Sequence, residues 1–361
     1  MSAALISLKQ PCAVIMAGGT GGHIYPGLAV AKDLIAKGWH VHWLGAPASM
    51  ESRVVPTHGI SLELVQFSGV RGKGFKALAT APFKLMRAII QANRIMQRLK
   101  PNVVVGFGGF ITVPGALGAR LCGVPLVLHE QNAIAGMANR CLSRVAKRVY
   151  TAFPNVLPMA EWVGNPMRNE FLSQMTPEAR MSNRSGPLKV LVLGGSLGAK
   201  GLNDVVPQAL ALMDERTRPQ VIHQSGVTHI DALRDAYFNA GVAGDLRPYI
   251  DDVAAYMADA DVVVCRAGAS TVTELTAVGA AALLVPFPYA VDDHQTANAH
   301  FLTQADAAWL VQQRELTPQW LANWFASVNR EALLACAQHA SELAKTHAVH
   351  IMVQAIQKEC M

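Results

Sequence analysis

Ala17-Gly-Gly-Thr-Gly-Gly-His23 stands between two apolar segments of different period. Before it, Cys12–Met16 is a short, continuous apolar run, which is typical of a buried strand. After it, residues 28–35 carry apolar side chains at helical spacing, and Pro26 suits a first helical turn. A strand, a glycine loop and a helix in this order point backbone N–H groups at an anion. A tight turn without a ligand is the alternative, but four glycines with a threonine and a histidine favour a binding loop.

The bulk composition predicts a two-domain protein. The chain has 361 residues, of which 51% are hydrophobic and 16% charged, and each domain can bury its own core. No segment is predicted to span a membrane, because the longest uncharged stretch, residues 101–119, contains two prolines and five glycines. No basic region precedes the apolar residues at the N-terminus, so we do not expect export. The six cysteines are scattered, which predicts reduced thiols in the cytoplasm and no zinc site.

Positive charge is concentrated in one part of the chain, the basic segment from Arg71 to Arg148. Between Glu63 and Glu161 the only acid is Glu130, against thirteen lysines and arginines. The rest of the chain is acidic, so the basic segment is expected to meet anions. Within it, residues 75–100 have helical period and no acids. Such a helix either packs on the core with a solvated basic face or lies on an anionic membrane surface.

Strands and helices alternate along the rest of the chain, which predicts doubly wound parallel sheets. Leu188–Leu193, the glycine loop Gly194–Gly198 and a following helix repeat the opening unit. A composition change over residues 159–184 indicates a linker, and residues 329–358 are predicted to be helical. We therefore expect an α/β protein with two similar Rossmann-like halves that face each other across a cleft.

In such sheets, ligands bind at the carboxyl ends of the strands. The loops Gly18–His23, Gly106–Phe110 and His129–Asn132 are all predicted to lie on one such edge.

Several common nucleotide sites are excluded by the motifs. Neither glycine loop is followed by Gly-Lys-Ser/Thr, so this is not a P-loop NTPase. The second predicted strand, Trp39–Gly45, ends without the acid that holds a dinucleotide ribose, which counts against a dehydrogenase. Asp259-Ala-Asp261 resembles a metal-binding pair but precedes a strand, the wrong end for a ligand. Phosphate charge must then be met by helix N-termini and by Arg168 or Arg266.

Two residues have both a structural and a functional interpretation. Thr271 and Glu274 fit a capping box at a helix starting near Val272, and the Glu274 carboxylate could also accept hydrogen bonds from a ribose. His23 lies at the start of the predicted helix and suits a general base, because imidazole exchanges protons near neutral pH. The alternative is that His23 only packs against the loop or hydrogen bonds to it. His129 and Glu130 are the other candidate bases.

Six motifs occur in order over nearly the whole chain: Ala17-Gly-Gly-Thr-Gly-Gly-His23, His129-Glu-Gln-Asn132, Gly164-Asn-Pro-x-Arg168, Gly194-Gly-Ser-x-Gly-Ala199, Cys265-Arg-x-Gly-Ala269 and Gln295-x-x-Asn298-Ala299. Together they resemble the bacterial UDP-N-acetylglucosamine:N-acetylmuramyl-(pentapeptide) pyrophosphoryl-undecaprenol N-acetylglucosamine transferases. The resemblance implies a GT-B fold with an acceptor domain, residues 1–166 plus about 345–361, and a donor domain, residues 167–344. It also implies transfer with inversion, in which the C4 hydroxyl of lipid-linked N-acetylmuramic acid attacks and UDP leaves.

The resemblance also assigns roles to matching positions. Thr20, Gly21 and Gly22 would line the cleft between donor and acceptor. Because the loop Gly18–His23 belongs to the basic half of the chain, we expect it to face the acceptor's pyrophosphate and the reacting centre. The donor contacts would be Asn132 and Gln295 to the sugar, Arg168 and Ser196 to the phosphates, Glu274 to the ribose, and Ile250 with Ala269, Ser270, Thr271, Val272 and Thr273 to the uracil and phosphates.

The implied partners are UDP-GlcNAc, an undecaprenyl-pyrophosphate-linked muropeptide and the cytoplasmic face of the anionic inner membrane, where the protein would be peripheral. Other cell-wall synthesis proteins are further expected partners, whereas no nucleic acid, cofactor or metal is expected. Two other functions remain open at this point. A UDP-GlcNAc 2-epimerase shares the architecture but needs no basic segment, and a membrane scaffold would use the cleft only for regulation.

Overall fold

The computed structural model describes residues 10–69, 74–195 and 198–360, which form two compact units. Unit 1 comprises the described residues up to Gln131, then Ala135–Met167 and the chain from His347 onward. Unit 2 comprises Asn132–Ile134 and Arg168–Thr346.

Unit 1 is built on a seven-stranded sheet in which every neighbouring pair is parallel, in the order β3-β2-β1-β4-β5-β6-β7. Its strands are β1 Cys12–Ala17, β2 His40–Gly45, β3 Ser61–Leu64, β4 Val103–Gly108, β5 Leu126–Glu130, β6 Arg148–Thr151 and β7 Glu161–Trp162. Strands β1 and β4 are buried along their whole length, as expected for strands covered on both faces.

Helices cover both faces of this sheet. They are α1 Gly21–Ala36, α2 Met50–Val54, α3 Gly74–Leu99, α4 Thr112–Leu121, α5 Met137–Leu142 and, from the chain's end, α15 Ala348–Cys360. One core lies under α1 and α15, with Leu34 and Met352 fully buried. The other lies under α3 and α4, around Ala92 and Val104. Helix α1 begins at Gly21, earlier than predicted, so Pro26 lies inside the helix and not in its first turn.

Unit 2 repeats the architecture with a six-stranded parallel sheet in the order β10-β9-β8-β11-β12-β13. Its strands are β8 Lys189–Leu193, β9 Gln220–Gln224, β10 Asp245–Arg247, β11 Val262–Cys265, β12 Ala282–Leu284 and β13 Trp309–Leu310. Its helices are α6 Asn169–Leu172, α7 Pro177–Met181, α8 Lys200–Ala211, α9 Ile230–Asn239, α10 Val253–Asp259, α11 Ala269–Val278, α12 His294–Thr303, α13 Pro318–Ser327 and α14 Arg330–Glu342. The predicted pair of α/β halves is confirmed.

The predicted single tail helix is two helices. Helix α14 ends at Glu342 and α15 begins at Ala348. The break falls where the chain leaves unit 2, after Thr346, and enters unit 1. Among the described residues, no helix is long and apolar enough to cross a membrane.

Candidate active site

Three loops of unit 1 meet at one edge of its sheet, as the sequence predicts. Strands β1, β4 and β5 are neighbours, and Ala17 at the end of β1 pairs with Gly108 at the end of β4. Gly109 packs directly on the Gly18 peptide: a Cβ at position 109 would stand 2.4 Å from the Gly18 carbonyl oxygen, and its φ is +82°. Only glycine fits this close approach, so the first two loops form one surface.

His23 is the third residue of α1 and is partly exposed at this surface. Its Nδ1 lies 3.2 Å from the Gly18 carbonyl oxygen and 3.4 Å from Thr20 Oγ1. Thr20 is the N-cap residue without a side-chain cap bond, and Gly21 and Gly22 open the helix. The first amides of a helix have no partner within it, so this turn presents N–H donors beside the imidazole.

His129 and Glu130, the other candidate bases, are buried at the end of β5. His129 Nε2 donates to the Gly164 carbonyl at 2.9 Å, and Nδ1 accepts from Gln131 Nε2 at 3.0 Å. Burial lowers the pKa of the His129 imidazole to about 4, although the Gly164 bond works against this shift. Because both ring nitrogens are engaged and charging is disfavoured, the geometry argues against a base role for His129.

Glu130 orders the chain that follows β5. Its Oε2 accepts from Asn139 Nδ2 at 2.9 Å and from the Gly136 amide at 3.1 Å. Asn139, on α5, also donates to the His129 carbonyl at 3.2 Å. Asn139 is 2% exposed and was not predicted from the sequence. Asn139 lies ten residues after His129 in the sequence, so no local pattern indicated it. The turn after β5 brings it next to His129 and Glu130.

Glu51 is the second residue that sequence reasoning missed. It lies on α2 with no exposed surface, and its carboxylate accepts hydrogen bonds from the backbone amides of Gly19 and Ala46. The sequence has no acid at the end of β2, where a dinucleotide-binding fold places the residue that holds the ribose. A carboxylate nevertheless reaches that region from α2, turned toward the protein's own glycine loop.

In unit 2, the predicted capping box at Thr271 and Glu274 is wrong. Helix α11 begins at Ala269, and its N-cap is Gly268, which has no side chain. Thr271 and Glu274 therefore lie inside the helix, and neither is engaged in capping. The segment predicted as a phosphate-binding loop is the first turn of this ten-residue helix, whose leading amides are orphan donors.

The side chains in and near this first turn differ in whether they are engaged within the protein. Thr273 Oγ1 donates to its own helix, to the Ala269 and Ser270 carbonyls. Ser270 Oγ is buried and has no hydrogen-bond partner among the described residues. Val272 and Ile250 are buried in the core. Backbone amides and the Ser270 hydroxyl are thus the groups in this turn that suit a phosphate.

Glu274 is partly buried on α11. Burial raises the pKa of its carboxyl to about 7, and the positive charge of Arg168 offsets only part of that rise. Arg168 is the N-cap residue of α6, exposed, with its guanidinium 5.1 Å from the centre of the Phe171 ring. A perturbed carboxyl beside an exposed arginine is typical of a ligand site.

Arg266 is engaged by partners within the protein. Its Nη1 donates to the carbonyls of Val285 and Pro286 at 3.1 and 3.2 Å, and its Nη2 donates to Gln313. Its guanidinium also lies 5.6 Å from the centre of the Phe287 ring. Of the two predicted phosphate arginines, only Arg168 remains exposed.

The two predicted sugar contacts both belong to unit 2. Gln295 Oε1 accepts from the Phe287 amide at 2.9 Å, which turns the Nε2 donors of its side chain outward. Asn132 Oδ1 accepts from Asn298 Nδ2 at 3.3 Å. Asn298 is fully buried and also binds the Ala133 amide and the Ala267 carbonyl, so it holds the segment Asn132–Ile134.

The second glycine loop lies at the carboxyl end of β8, and Ser196 within it lies outside the described residues. Gly198 has φ +79°, and a Cβ there would stand 2.0 Å from the Ser225 carbonyl oxygen. Gln224 Nε2 donates to the Gly195 carbonyl at 3.1 Å. Strand β9 thus supports this loop from the side.

Asp261 has a structural role. It is 1% exposed and binds Arg184 at 2.8 Å, Arg330 at 3.0 Å and the Lys189 amide at 2.9 Å. Burial alone would raise the pKa of this carboxyl, but those bonds lower it overall. In the part of the chain that the structure describes, no group of three or more His, Cys, Asp or Glu side chains could hold a metal ion.

Comparison with known proteins identifies the family. The glycosyltransferase family 28 N-terminal domain matches residues 13–151, and the family's C-terminal domain matches residues 189–354. This chain belongs to glycosyltransferase family 28.

Family 28 relatives match nearly the whole chain. A protein of Acidovorax sp. (strain JS42) is 57% identical over 99% of this chain and 90% of its own length, and one of Paracidovorax citrulli (strain AAC00-1) is 58% identical over 96% and 98%. Both are named UDP-N-acetylglucosamine--N-acetylmuramyl-(pentapeptide) pyrophosphoryl-undecaprenol N-acetylglucosamine transferase. The crystal structure of Acinetobacter baumannii MurG superposes with a TM-score of 0.85 at 41% identity, covering 96% of this chain and 99% of that one.

Proposed function

We propose that this protein transfers N-acetylglucosamine from UDP-GlcNAc to the C4 hydroxyl of the N-acetylmuramic acid in undecaprenyl-pyrophosphoryl-MurNAc-pentapeptide, with inversion. The observation that carries this proposal is the 57% identity, over 99% of the chain, to a relative named for this transfer. The reaction serves peptidoglycan synthesis.

Unit 2 supplies the groups for the donor. The α11 N-terminus, the Ser270 hydroxyl and Arg168 suit the diphosphate, and the Glu274 carboxylate suits the ribose hydroxyls. Gln295 presents its Nε2 donors to sugar hydroxyls, and Asn132 belongs to the same unit. Negative charge that develops on UDP as it leaves is stabilised by the same helix terminus and arginine.

Unit 1 supplies the base. His23 removes the proton of the attacking C4 hydroxyl, which then forms the new bond at the anomeric carbon from the side opposite UDP. Glu130 is the alternative base, but its carboxylate already orders residues 136–139 through Gly136 and Asn139. His23 is partly exposed at the edge of the sheet and therefore suits the role better.

A surface of unit 1 suits contact with the cytoplasmic face of an anionic membrane. Helix α3 packs on the core through Ala88, Ala92 and Met96, which fits one of the two interpretations left open by its sequence. Its other face exposes Phe83 (80%) and Met86 (60%) among exposed lysines and arginines, which fits the second. Exposed apolar side chains surrounded by lysines and arginines are typical of a helix that lies on anionic lipid.

Release of UDP tests the proposal directly. Purified protein is mixed with UDP-GlcNAc and a lipid-pyrophosphate muropeptide, with the acceptor omitted as the control. We expect UDP release that requires the acceptor, together with a disaccharide product. No release with the acceptor present would contradict the proposal, and epimerised sugar formed without acceptor would favour an epimerase.

A further inference from the structure

The buried carboxylate of Glu51 contacts none of the groups proposed to react, yet it binds the peptide group that His23 also binds. We propose that Glu51 is a positioning residue: through the Gly18–Gly19 peptide it fixes the Nδ1–H tautomer and the orientation of the His23 imidazole. This inference rests on the proposed function in one respect, that His23 is the base.

A short helix with a capped N-terminus sets the position of Glu51. Ser49 and Ser52 form a reciprocal capping box at the start of α2, and Glu51 is the second residue of that helix. Its side chain has no exposed surface. A buried carboxylate is unfavourable unless it is hydrogen bonded, and the two amides that Glu51 binds meet this need: Oε1 accepts from Ala46 at 3.2 Å and Oε2 from Gly19 at 3.1 Å.

The amide of Gly19 and the carbonyl of Gly18 are two ends of one peptide group. Glu51 Oε2 binds the N–H end, and His23 Nδ1 lies 3.2 Å from the oxygen at the other end. A carbonyl oxygen only accepts hydrogen bonds, so a hydrogen bond to Gly18 requires that Nδ1 carries the proton. In the neutral ring, Nε2 then bears the lone pair, and it is the nitrogen that can accept a proton from substrate. In the other tautomer Nδ1 would accept from the Thr20 hydroxyl at 3.4 Å, and the contact with the Gly18 carbonyl would have no proton.

The carboxylate strengthens this arrangement. Hydrogen bonds in a chain polarise one another, so a negative charge on the N–H end makes the carbonyl a better acceptor for Nδ1–H. Packing keeps the peptide in place, because Gly109 lies against the Gly18 carbonyl and a Cβ at Gly18 would stand 2.6 Å from Glu51 Oε1. No proton moves through the peptide, and Glu51 touches no reacting atom.

Glu51→Gln is the informative variant. In the glutamate, one carboxylate oxygen accepts from Gly19 and the other from Ala46. A glutamine has only one acceptor oxygen, so it loses one of these two contacts. Glu63→Gln is the matched control, because Glu63 lies on β3 of the same sheet and pairs with Arg98, away from the glycine loop. Both variants are compared with wild type in kinetics and in 15N NMR of the histidine side chains, with His23 assigned from His23→Ala.

We expect wild-type His23 in the Nδ1–H tautomer and a mixture of tautomers in Glu51→Gln. We also expect kcat to fall by roughly ten- to a hundredfold, within the contribution of a general base, with KM for UDP-GlcNAc unchanged. Glu63→Gln should change neither quantity. A wild-type Nε2–H tautomer, or an unchanged tautomer in a folded Glu51→Gln protein, would overturn the inference. The wild-type tautomer is measured without turnover, and His23→Ala serves only to assign the signal, so this measurement tests the inference even if the protein releases no UDP.

Discussion

The two glycine loops of this chain share a strand–glycine–helix plan but are held in different ways. In unit 1, the carboxylate of Glu51 binds the Gly19 amide, and His23 contacts the Gly18 carbonyl. In unit 2, the contacts to the described part of the loop come from the Gln224 amide and the Ser225 backbone. A resident carboxylate occupies a donor that a phosphate would otherwise use.

The different supports of the two loops suggest different roles: one loop presents the base and the other binds the nucleotide. Negative charge under the Gly18–His23 loop disfavours a phosphate at the Gly19 amide. This argues against the expected contact of that loop with the acceptor's pyrophosphate, and the loop is better suited to presenting a base. In unit 2, strand β8 before the second loop pairs with β11, which leads into α11, and the charge of Arg168 acts on Glu274 of that helix. We expect these groups to bind the nucleotide. Similar backbone motifs therefore carry different functions, and the side chains behind the loop decide which.

The largest expected effect comes from removing the proposed base. His23→Ala should lower kcat by at least about a hundredfold, the contribution of a general base, and leave the Kd for UDP-GlcNAc unchanged. Steady-state kinetics and calorimetry measure the two quantities. His58→Ala, a histidine of the 3-10 helix after α2, is the control and should retain full activity. Weakened donor binding in His23→Ala would contradict the division between the loops.

Glu274 should impose a pH dependence on stability. The pKa of its carboxyl is about 7 in the folded protein, above its ordinary value of 4.5. Between these values the folded state keeps a proton that the unfolded state has lost, so this residue lowers the free energy of unfolding as pH rises, and the loss is complete above pH 7. Glu274→Gln does not titrate and should gain about 2–3 kcal/mol over wild type between pH 4 and pH 8.

Urea unfolding at a series of pH values, without donor, measures this gap. The isosteric amide keeps the side-chain volume, so packing is matched. A constant difference between the two proteins across that range would show that the carboxyl titrates normally.

Donor binding in unit 2 should also depend on Glu274. Glu274→Ala should weaken UDP-GlcNAc binding more than tenfold, about 1.4 kcal/mol, as expected for the loss of a charge-assisted bond pair. Calorimetry provides the Kd, and Glu331→Ala, an exposed glutamate at the start of α14, is the control. An unchanged Kd would remove Glu274 from the nucleotide site.

The smallest expected effect concerns the surface of α3. The double variant Phe83→Ser/Met86→Ser should bind vesicles containing anionic lipid about three- to tenfold more weakly, because less apolar area enters the interface. Added salt should weaken wild-type binding as well. Leu212→Ser, which removes an exposed apolar side chain from unit 2, is the control. Equal wild-type binding to neutral vesicles would refute the electrostatic account.

Hydrophobic pattern and glycine placement predicted the strands before the two glycine loops, the parallel character of the sheets and the three loops at one sheet edge. Local pattern failed at α11, because Thr271 and Glu274 mimic a capping box while Gly268, with no side chain, is the real N-cap. The engagement of Arg266 also gave no local signal, since its carbonyl partners Val285 and Pro286 follow β12, 19 and 20 residues further along the chain. Glu51 gave no signal, because its meaning depends on a contact 32 residues away, with Gly19.

The most direct test of the division between the loops is an NMR titration of the 15N-glycine-labelled protein with UDP. We expect the Gly195 amide signal to shift with UDP while the signal of the Gly19 amide, which Glu51 binds, does not shift. A shift at Gly19 that saturates with the donor-binding constant, with Gly195 unmoved, would contradict this expectation.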